Sequence, residues 1–324
     1  MSETAAGIPP SLAVDLDGIA LPTPVLAASG CFNTGREMSR LIDVKRMGGI
    51  VTKSVTLGPT RGLPTPRMAE TASGMLNAIG LQNSGLDEFM VKEAPWIAEA
   101  GVPVFVSIAG ASVEEYTRVT VVVREIPGVV GIEANISCPN VEQRGQVFAC
   151  HPNQAAEVIG AMSRLTSLPI FAKLTADVTD IVEVAEACIR AGAQGLSLIN
   201  TLLGLAIDVE TFRPKLGAVT GGLSGPAIHP IAVRCVYQVA RAFPQVPIMG
   251  IGGVATARDA VELMLAGAWA VQVGTANFAD PEATIKIAEG VAEFLTRKGL
   301  GSPKDLVGKG RPRQRPGDPA GRPD

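Results

Sequence analysis

The sequence predicts an α/β fold: a (β/α)8 TIM barrel with a short N-terminal β-hairpin and inserted loops at its C-terminal face. Three observations predict it. Apolar, β-rich runs alternate with amphipathic helical periods over about 300 residues. Small-residue junctions such as Ala191-Gly192-Ala193 and Ala266-Gly267-Ala268 lead straight into apolar strands. The runs all end in small, polar or cationic residues, which is how a barrel builds a site at one rim. An open doubly wound sheet is the other reading of the alternation, and the repeated junctions favour the barrel.

Taken in order, a hairpin-like prelude over 12–22 precedes the first expected strand, Val25–Ala28. Gly49–Lys53 is the second, and Val104–Ile108, opened by Gly101-Val102-Pro103, the third. Gly131–Asn135 is the fourth, Ile170–Lys173 the fifth and Gly195–Ile199 the sixth. Ile248–Ile251 and Ala270–Val273 complete the set. Helical periods run over 112–124, 153–165, 181–191, 228–242 and 257–266. Ser112 and Thr256 stand where N-caps belong.

Two connections are long. Residues 56–95 are rich in Gly, Pro and Asn, and within 201–226 the segments 206–209 and 216–219 are expected to pair as a small hairpin. Long loops at this end of a barrel form lids and substrate walls. The barrel domain is placed at 1–303, followed by a disordered Pro/Gly/Arg-rich tail at 304–324.

Composition narrows the function. The chain has 324 residues, 47% hydrophobic and 18% charged, with net charge −3. Mean hydropathy is positive, yet no run approaches the roughly 20 apolar residues of a membrane span. The N-terminus lacks a basic region followed by an apolar core, so a cytoplasmic protein is expected. No basic surface suggests nucleic acid. Five scattered cysteines (Cys31, Cys138, Cys150, Cys188, Cys235) show neither a disulfide framework nor metal-ligand spacing, so no metal is expected on this chain.

The strand ends carry the chemistry. The first gives Ser29, the second Lys53 and Ser54, the third Ser107, and the fourth Asn135 with Cys138 and Asn140 just beyond. The fifth gives Lys173, the sixth Asn200 and Thr201, the seventh Gly252-Gly253 and the eighth Gly274-Thr275. The glycine turns on the last two strands suit a phosphate, because backbone N–H groups can approach it closely. Plain turn chemistry is the alternative for either turn alone. Gly221-Gly222-Leu223-Ser224-Gly225 offers either a further backbone contact or a flexible loop.

Two lysines at the ends of apolar strands call for an anionic ligand, since a buried ammonium is costly without one. Such a lysine can also hold negative charge on a reduced flavin. Asn77, Asn83, Asn135, Asn140 and Asn200 offer donors and acceptors together, which suits a ring of carbonyls and N–H groups such as a pyrimidine. Cys138 has a reference pKa near 8.5 and can act as a general base. The adjacent Cys150 and His151 read instead as ordinary loop residues.

Six motifs in order carry a resemblance: Lys53-Ser54-Val55-Thr56, Asn77-Ala78-Ile79-Gly80-Leu81-Gln82-Asn83, Asn135-Ile136-Ser137-Cys138-Pro139-Asn140, Ile199-Asn200-Thr201, Gly221 to Pro226, and Gly252-Gly253-Val254. Over about 12–295 the chain resembles the dihydroorotate dehydrogenases, flavin enzymes of pyrimidine (UMP) biosynthesis. The resemblance implies FMN contacts at Ser29, Lys53, Ser54, Ser107, Asn135, Lys173, Ile199, Gly225, Gly252, Gly253, Gly274 and Thr275. It implies orotate contacts at Lys53, Asn77, Ala78, Ile79, Gly80, Leu81, Asn135, Asn140, Asn200 and Thr201. Cys138 would take the C5 proton of dihydroorotate while hydride leaves C6 for flavin N5.

Cysteine at 138 resembles the soluble class 1 enzymes, and the loops at 199–204 and 222–228 look most like type 1B. That implies a homodimer within a heterotetramer, whose second subunit carries FAD and an iron–sulfur cluster and passes electrons to NAD. Ser107, where the family has asparagine, and Ala176-Asp177, where Pro-Asn is usual, depart from the pattern. A flavin enzyme acting on dihydrouracil is the nearest alternative. A non-redox phosphate-binding aldolase or isomerase would explain the glycine turns but not the cysteine–amide strand end.

Overall fold

The computed structural model describes residues 11–137 and 151–311. A hairpin of β1 (Val14–Asp15) and β2 (Ala20–Leu21) opens the chain, and β3 (Val25–Ala27) and β4 (Gly49–Val51) begin the barrel. A first excursion forms β5 (Met68–Thr71), β6 (Gly74–Asn77), α1 (Leu86–Lys92) and α2 (Ala94–Glu99). Then β7 (Val104–Ile108), α3 (Val113–Val123), β8 (Val129–Asn135), α4 (Pro152–Ser163), β9 (Ile170–Leu174), α5 (Ile181–Arg190) and β10 (Gly195–Leu198) alternate. A second excursion gives β11 (Leu202–Gly204), β12 (Ile207–Asp208), β13 (Arg213–Pro214) and β14 (Gly221–Ser224). The chain continues through α6 (His229–Ala242), β15 (Ile248–Ile251), α7 (Ala257–Ala266), β16 (Ala270–Val273), α8 (Ala276–Ala279) and α9 (Ala283–Lys298).

The eight expected strands close into one parallel barrel in the order β3-β4-β7-β8-β9-β10-β15-β16. Helix starts follow their cap residues. Ser112 Oγ accepts from the Glu115 N–H at 3.3 Å. Thr256 and Asp259 form a reciprocal capping box on α7.

Alternate residues of each strand face the barrel interior, and the interior is tiered. At the N-terminal end Leu26, Val51, Phe105, Phe171, Met249 and Ala270 form an apolar floor, covered from below by Leu16, Ile19 and Leu21 of the hairpin. Phe105 and Phe171 meet edge to face, with ring centroids 5.6 Å apart and planes at 87°. Glycine on the neighbouring strands makes room for them. A Cβ on Gly131 would lie 2.8 Å from the Phe105 ring, and one on Gly195 would lie 2.2 Å from the Phe171 ring. Above the rings the inward residues turn polar: Ser107, Glu133, Lys173, Ser197 and Gln272 are all buried.

Two expectations need correction. The second excursion does not pair 206–209 with 216–219; β12 pairs with β13 (Ile207 opposite Pro214), while β11 pairs with β14. The glycines of β14 let it lie against β6 instead, and a four-stranded sheet β11-β14-β6-β5 rises beside the rim. The packed chain also does not stop at 303. Leu306 is buried in the main core, the Gly308 and Gly310 N–H groups donate to the Met264 and Leu265 carbonyls, and Arg311 packs on Gly267. These contacts satisfy the carbonyls at the end of α7, so 304–311 belongs to the barrel. Residues 312–324 lie outside the described residues.

Gly195→Ala should destabilise the protein by about 1–3 kcal/mol through overpacking against Phe171, measured by urea unfolding. Phe171→Leu in the same background should recover part of the loss. An unchanged unfolding midpoint for Gly195→Ala would contradict this account of the floor.

Candidate active site

The C-terminal rim encloses a cleft of about 530 Å³. Ser29 enters it from the end of β3, Lys53 and Ser54 from β4, Asn135 from β8 and Lys173 from β9. Ile199, Asn200 and Thr201 follow β10, and Gly252, Gly253, Gly274 and Thr275 follow the last two barrel strands. The excursions supply Asn77 at the end of β6, Ile79, Gly80 and Leu81 after it, and Gly225 after β14. The structure therefore gathers residues from far-apart parts of the chain into one cavity. A second depression, beside Asp208 and Arg213, is more open to solvent, and no barrel strand end lines it.

Some expected residues fall elsewhere. Ser107 is completely buried behind Ser54, their Oγ atoms 2.9 Å apart, and does not line the cleft. Ala78 packs with Leu76 and Leu216 in a small core of the excursion. Asn83 staples its own loop: its Oδ1 accepts from the Gly85 N–H at 2.9 Å, and its Nδ2 donates to Leu81 O at 2.7 Å. Cys138, Asn140 and Cys150 lie outside the described residues.

The amides are held before any ligand arrives. Asn135 Nδ2 donates to Ser54 Oγ at 3.0 Å, and its backbone carbonyl accepts from the buried Tyr116 hydroxyl at 2.8 Å. Asn200 Nδ2 donates to Ser137 Oγ at 3.0 Å, while its Oδ1 accepts from the Thr201 N–H at 2.8 Å. Asn77 Nδ2 donates to Gly222 O across the β6–β14 pair at 3.3 Å. Gly222 also lets β14 lie close to Thr201, because a Cβ there would sit 2.1 Å from Thr201 Oγ1.

The glycine turns are built for close backbone approach. Gly252 and Gly253 have φ of 130° and 68°, and a Cβ on Gly253 would meet Gly225 O at 2.9 Å. His229 braces the turn, its Nδ1–H donating to Gly252 O at 2.9 Å. The neighbouring helix contributes less than a free helix end would. The N–H groups of Ala255 and Thr256 already donate to Asp259 Oδ2, at 3.0 and 2.8 Å.

Sequence reasoning missed the layer beneath. Glu133 is fully buried, with Oε1 3.1 Å from Lys173 Nζ and Oε2 accepting from Gln272 Nε2 at 3.0 Å. A carboxylate inside an apolar strand was the available signal. Met68, Met75, Phe278 and Cys31 also line the cleft. Desolvation pushes the Cys31 thiol up to about 11 against the pull of Lys173 and Lys53. Cys31 is therefore a neutral thiol across the physiological range and unsuited to act as a base.

Alkylation of the native protein with iodoacetamide at pH 8, read by peptide mapping, should leave Cys31 unmodified, with labelling rising only as pH approaches 11. A labelling step near pH 8 at Cys31 would contradict its assignment.

The family model for dihydroorotate dehydrogenase matches residues 11–295. The chain is 52% identical over 299 residues to the dihydroorotate dehydrogenase B (NAD(+)) catalytic subunit of Geotalea daltonii, covering 92% of this chain and 98% of that protein. It is 47% identical over 298 residues to the protein of the same name from Geobacillus kaustophilus, covering 92% and 95%. A crystal structure of the Eimeria tenella enzyme in complex with ferulenol superposes with TM-score 0.78 at 22% identity, covering 92% of this chain and 88% of that one, which shows the shared fold. The chain belongs to the dihydroorotate dehydrogenase family, within its B-type catalytic-subunit branch.

Proposed function

We propose that this dihydroorotate dehydrogenase binds FMN across the cleft and oxidises (S)-dihydroorotate to orotate, with Cys138 as the general base. The observation that carries this reading is the convergence, in one cavity, of two glycine turns, two lysines and a ring of fixed amides. The cradle fits a flavin phosphate: the Gly252-Gly253 turn lines the cleft with backbone alone, and Thr275 Oγ1 donates to Ser224 Oγ at 2.8 Å beside it. Lys53 and Lys173 suit the electron-rich edge of a flavin ring, and Lys53 also suits the carboxylate of the substrate.

When bound, FMN would supply the two-electron acceptor for the hydride that leaves C6 of dihydroorotate. The chain's own residues do the rest. Asn77, Asn135 and Asn200 orient the pyrimidine ring through its carbonyl and N–H groups. Cys138 removes the proton from C5. The wall formed by β5, β6 and β14 limits access of water to the reacting atoms.

The relatives' names, with catalytic subunit and NAD(+) in them, support a wider assembly. In it an FAD- and iron–sulfur-bearing subunit takes the electrons on to NAD, and the catalytic chain pairs with a second copy. Leu203, Ile207, Val209 and Phe212 stand exposed on the second excursion, which supports a subunit contact there. No helix among the described residues is long and apolar enough to cross a membrane, in keeping with a cytoplasmic site of action.

Purified protein should be yellow, and anaerobic dihydroorotate should bleach it. Bleaching by dihydrouracil alone would move the assignment to that substrate. Cys138→Ala should still bind FMN and orotate but reduce the flavin about 10²–10⁴-fold more slowly, followed by stopped-flow absorbance. An unchanged rate at neutral pH would remove Cys138 from the mechanism.

A further inference from the structure

We propose that Glu133 is a positioning residue that acts through Lys173 and restrains the reduction of the bound flavin. The proposal rests on the FMN reading above. Glu133 cannot touch anything in the cleft: its side chain is 0% exposed and it is absent from the cavity lining. Lys173, one strand over on β9, does line the cleft, and its Nζ lies 3.1 Å from Glu133 Oε1. The register sets this geometry. Lys173 lies opposite Asn135 on β8 and Ser197 on β10, one inward step above Phe171. Glu133 lies opposite Phe171 and reaches up to the ammonium from below.

The arrangement is a poor one for stability alone. A buried ion pair seldom outperforms apolar side chains of the same volume. The supporting contacts are also incomplete: Gln272 spends its Nε2–H on Glu133, while its Oε1 and the Ser197 Oγ have no partner among the described residues. What the triad does achieve is to fix a charge. Gln272 orients the carboxylate, the carboxylate orients the ammonium, and the ammonium faces the cleft with most of its charge offset. The other ionisable groups facing it are Lys53 and Cys31.

A reduced flavin carries more negative charge than an oxidised one. An uncompensated ammonium beneath it favours reduction, and a compensated one favours it less. Glu133 therefore keeps the flavin a weaker electron sink, able to hand electrons onward.

The test is the midpoint potential of the FMN-loaded protein, from anaerobic dye-coupled titration at pH 7. Glu133→Gln keeps the shape and removes the charge. At a fixed poise its reduced-to-oxidised ratio should rise roughly tenfold or more, as expected for a unit charge removed several ångströms away in a protein interior. Glu133→Asp should return the ratio towards the parent value. A ratio that is unchanged or lowered in Glu133→Gln overturns the proposal.

The Lys173→Met and Lys173→Met/Glu133→Gln pair separates an effect through the lysine from a direct one: the two should show the same ratio, because a buried carboxylate without its cation neutralises, and a higher ratio in the double variant would show Glu133 acting without Lys173 and overturn the positioning role. If Glu133→Gln alone does not fold, the unfolding cycle below carries the test. Flavin-free protein gives an independent reading by thermal unfolding: Lys173→Met should lose stability that the double variant regains, and additive losses would deny the pairing. Protein that binds no FMN sinks the flavin reading itself, and the unfolding cycle then decides the pairing alone.

Discussion

Inside the barrel two phenyl rings, Phe105 and Phe171, meet edge to face 5.6 Å apart, and the polar tier stands directly on them. Water is kept from the underside of that tier by this floor and by the hairpin residues Leu16, Ile19 and Leu21. A dry floor strengthens every charge and hydrogen bond above it. It also raises the cost of any polar group left alone, which is why Glu133 is tied on both oxygens. The rings fit only because β8 and β10 present glycine at Gly131 and Gly195. Two residues without side chains thus make possible a site several ångströms above them.

The rim is organised by the same economy of space. Gly222 lets β14 approach Thr201, and Gly253 lets the seventh strand end approach Gly225. The amides are then fixed by neighbours and not by a ligand: Asn135 by Ser54 and Tyr116, Asn200 by Ser137 and Thr201. A site held this way loses little freedom on binding, which favours orientation over adaptation. One half of the cleft presents backbone and lysines, suited to a phosphate and an electron-rich ring. The other presents amides, suited to a small heterocycle.

Much of this was legible in the sequence, for identifiable reasons. The barrel strands announce themselves because each is a short apolar run with a turn on either side, and a parallel strand buried on both faces leaves no other pattern. The strand-end residues follow from that placement, and Ser29, Lys53, Lys173 and Thr275 all reach the cleft. The excursion sheet was not legible, since Gly74–Asn77 and Gly221–Ser224 are glycine-bearing strands that local propensity counts as loops. Ser107 sits one layer behind Ser54, a depth that no strand pattern encodes. Glu133 went unread for the opposite reason: a single carboxylate within a hydrophobic run looks like an interruption until its partners on β9 and β16 are known.

In the function proposed above, one cleft holds the flavin and the pyrimidine in contact, with Lys53 and Asn135 between them. A crystal structure of the chain with FMN and orotate tests it most directly. The phosphate is expected against Gly252, Gly253, Gly274 and Thr275, the ring system over Lys173, and orotate bonded to Asn77, Asn135 and Asn200. A phosphate bound away from those turns, or orotate outside the amide ring, would contradict it.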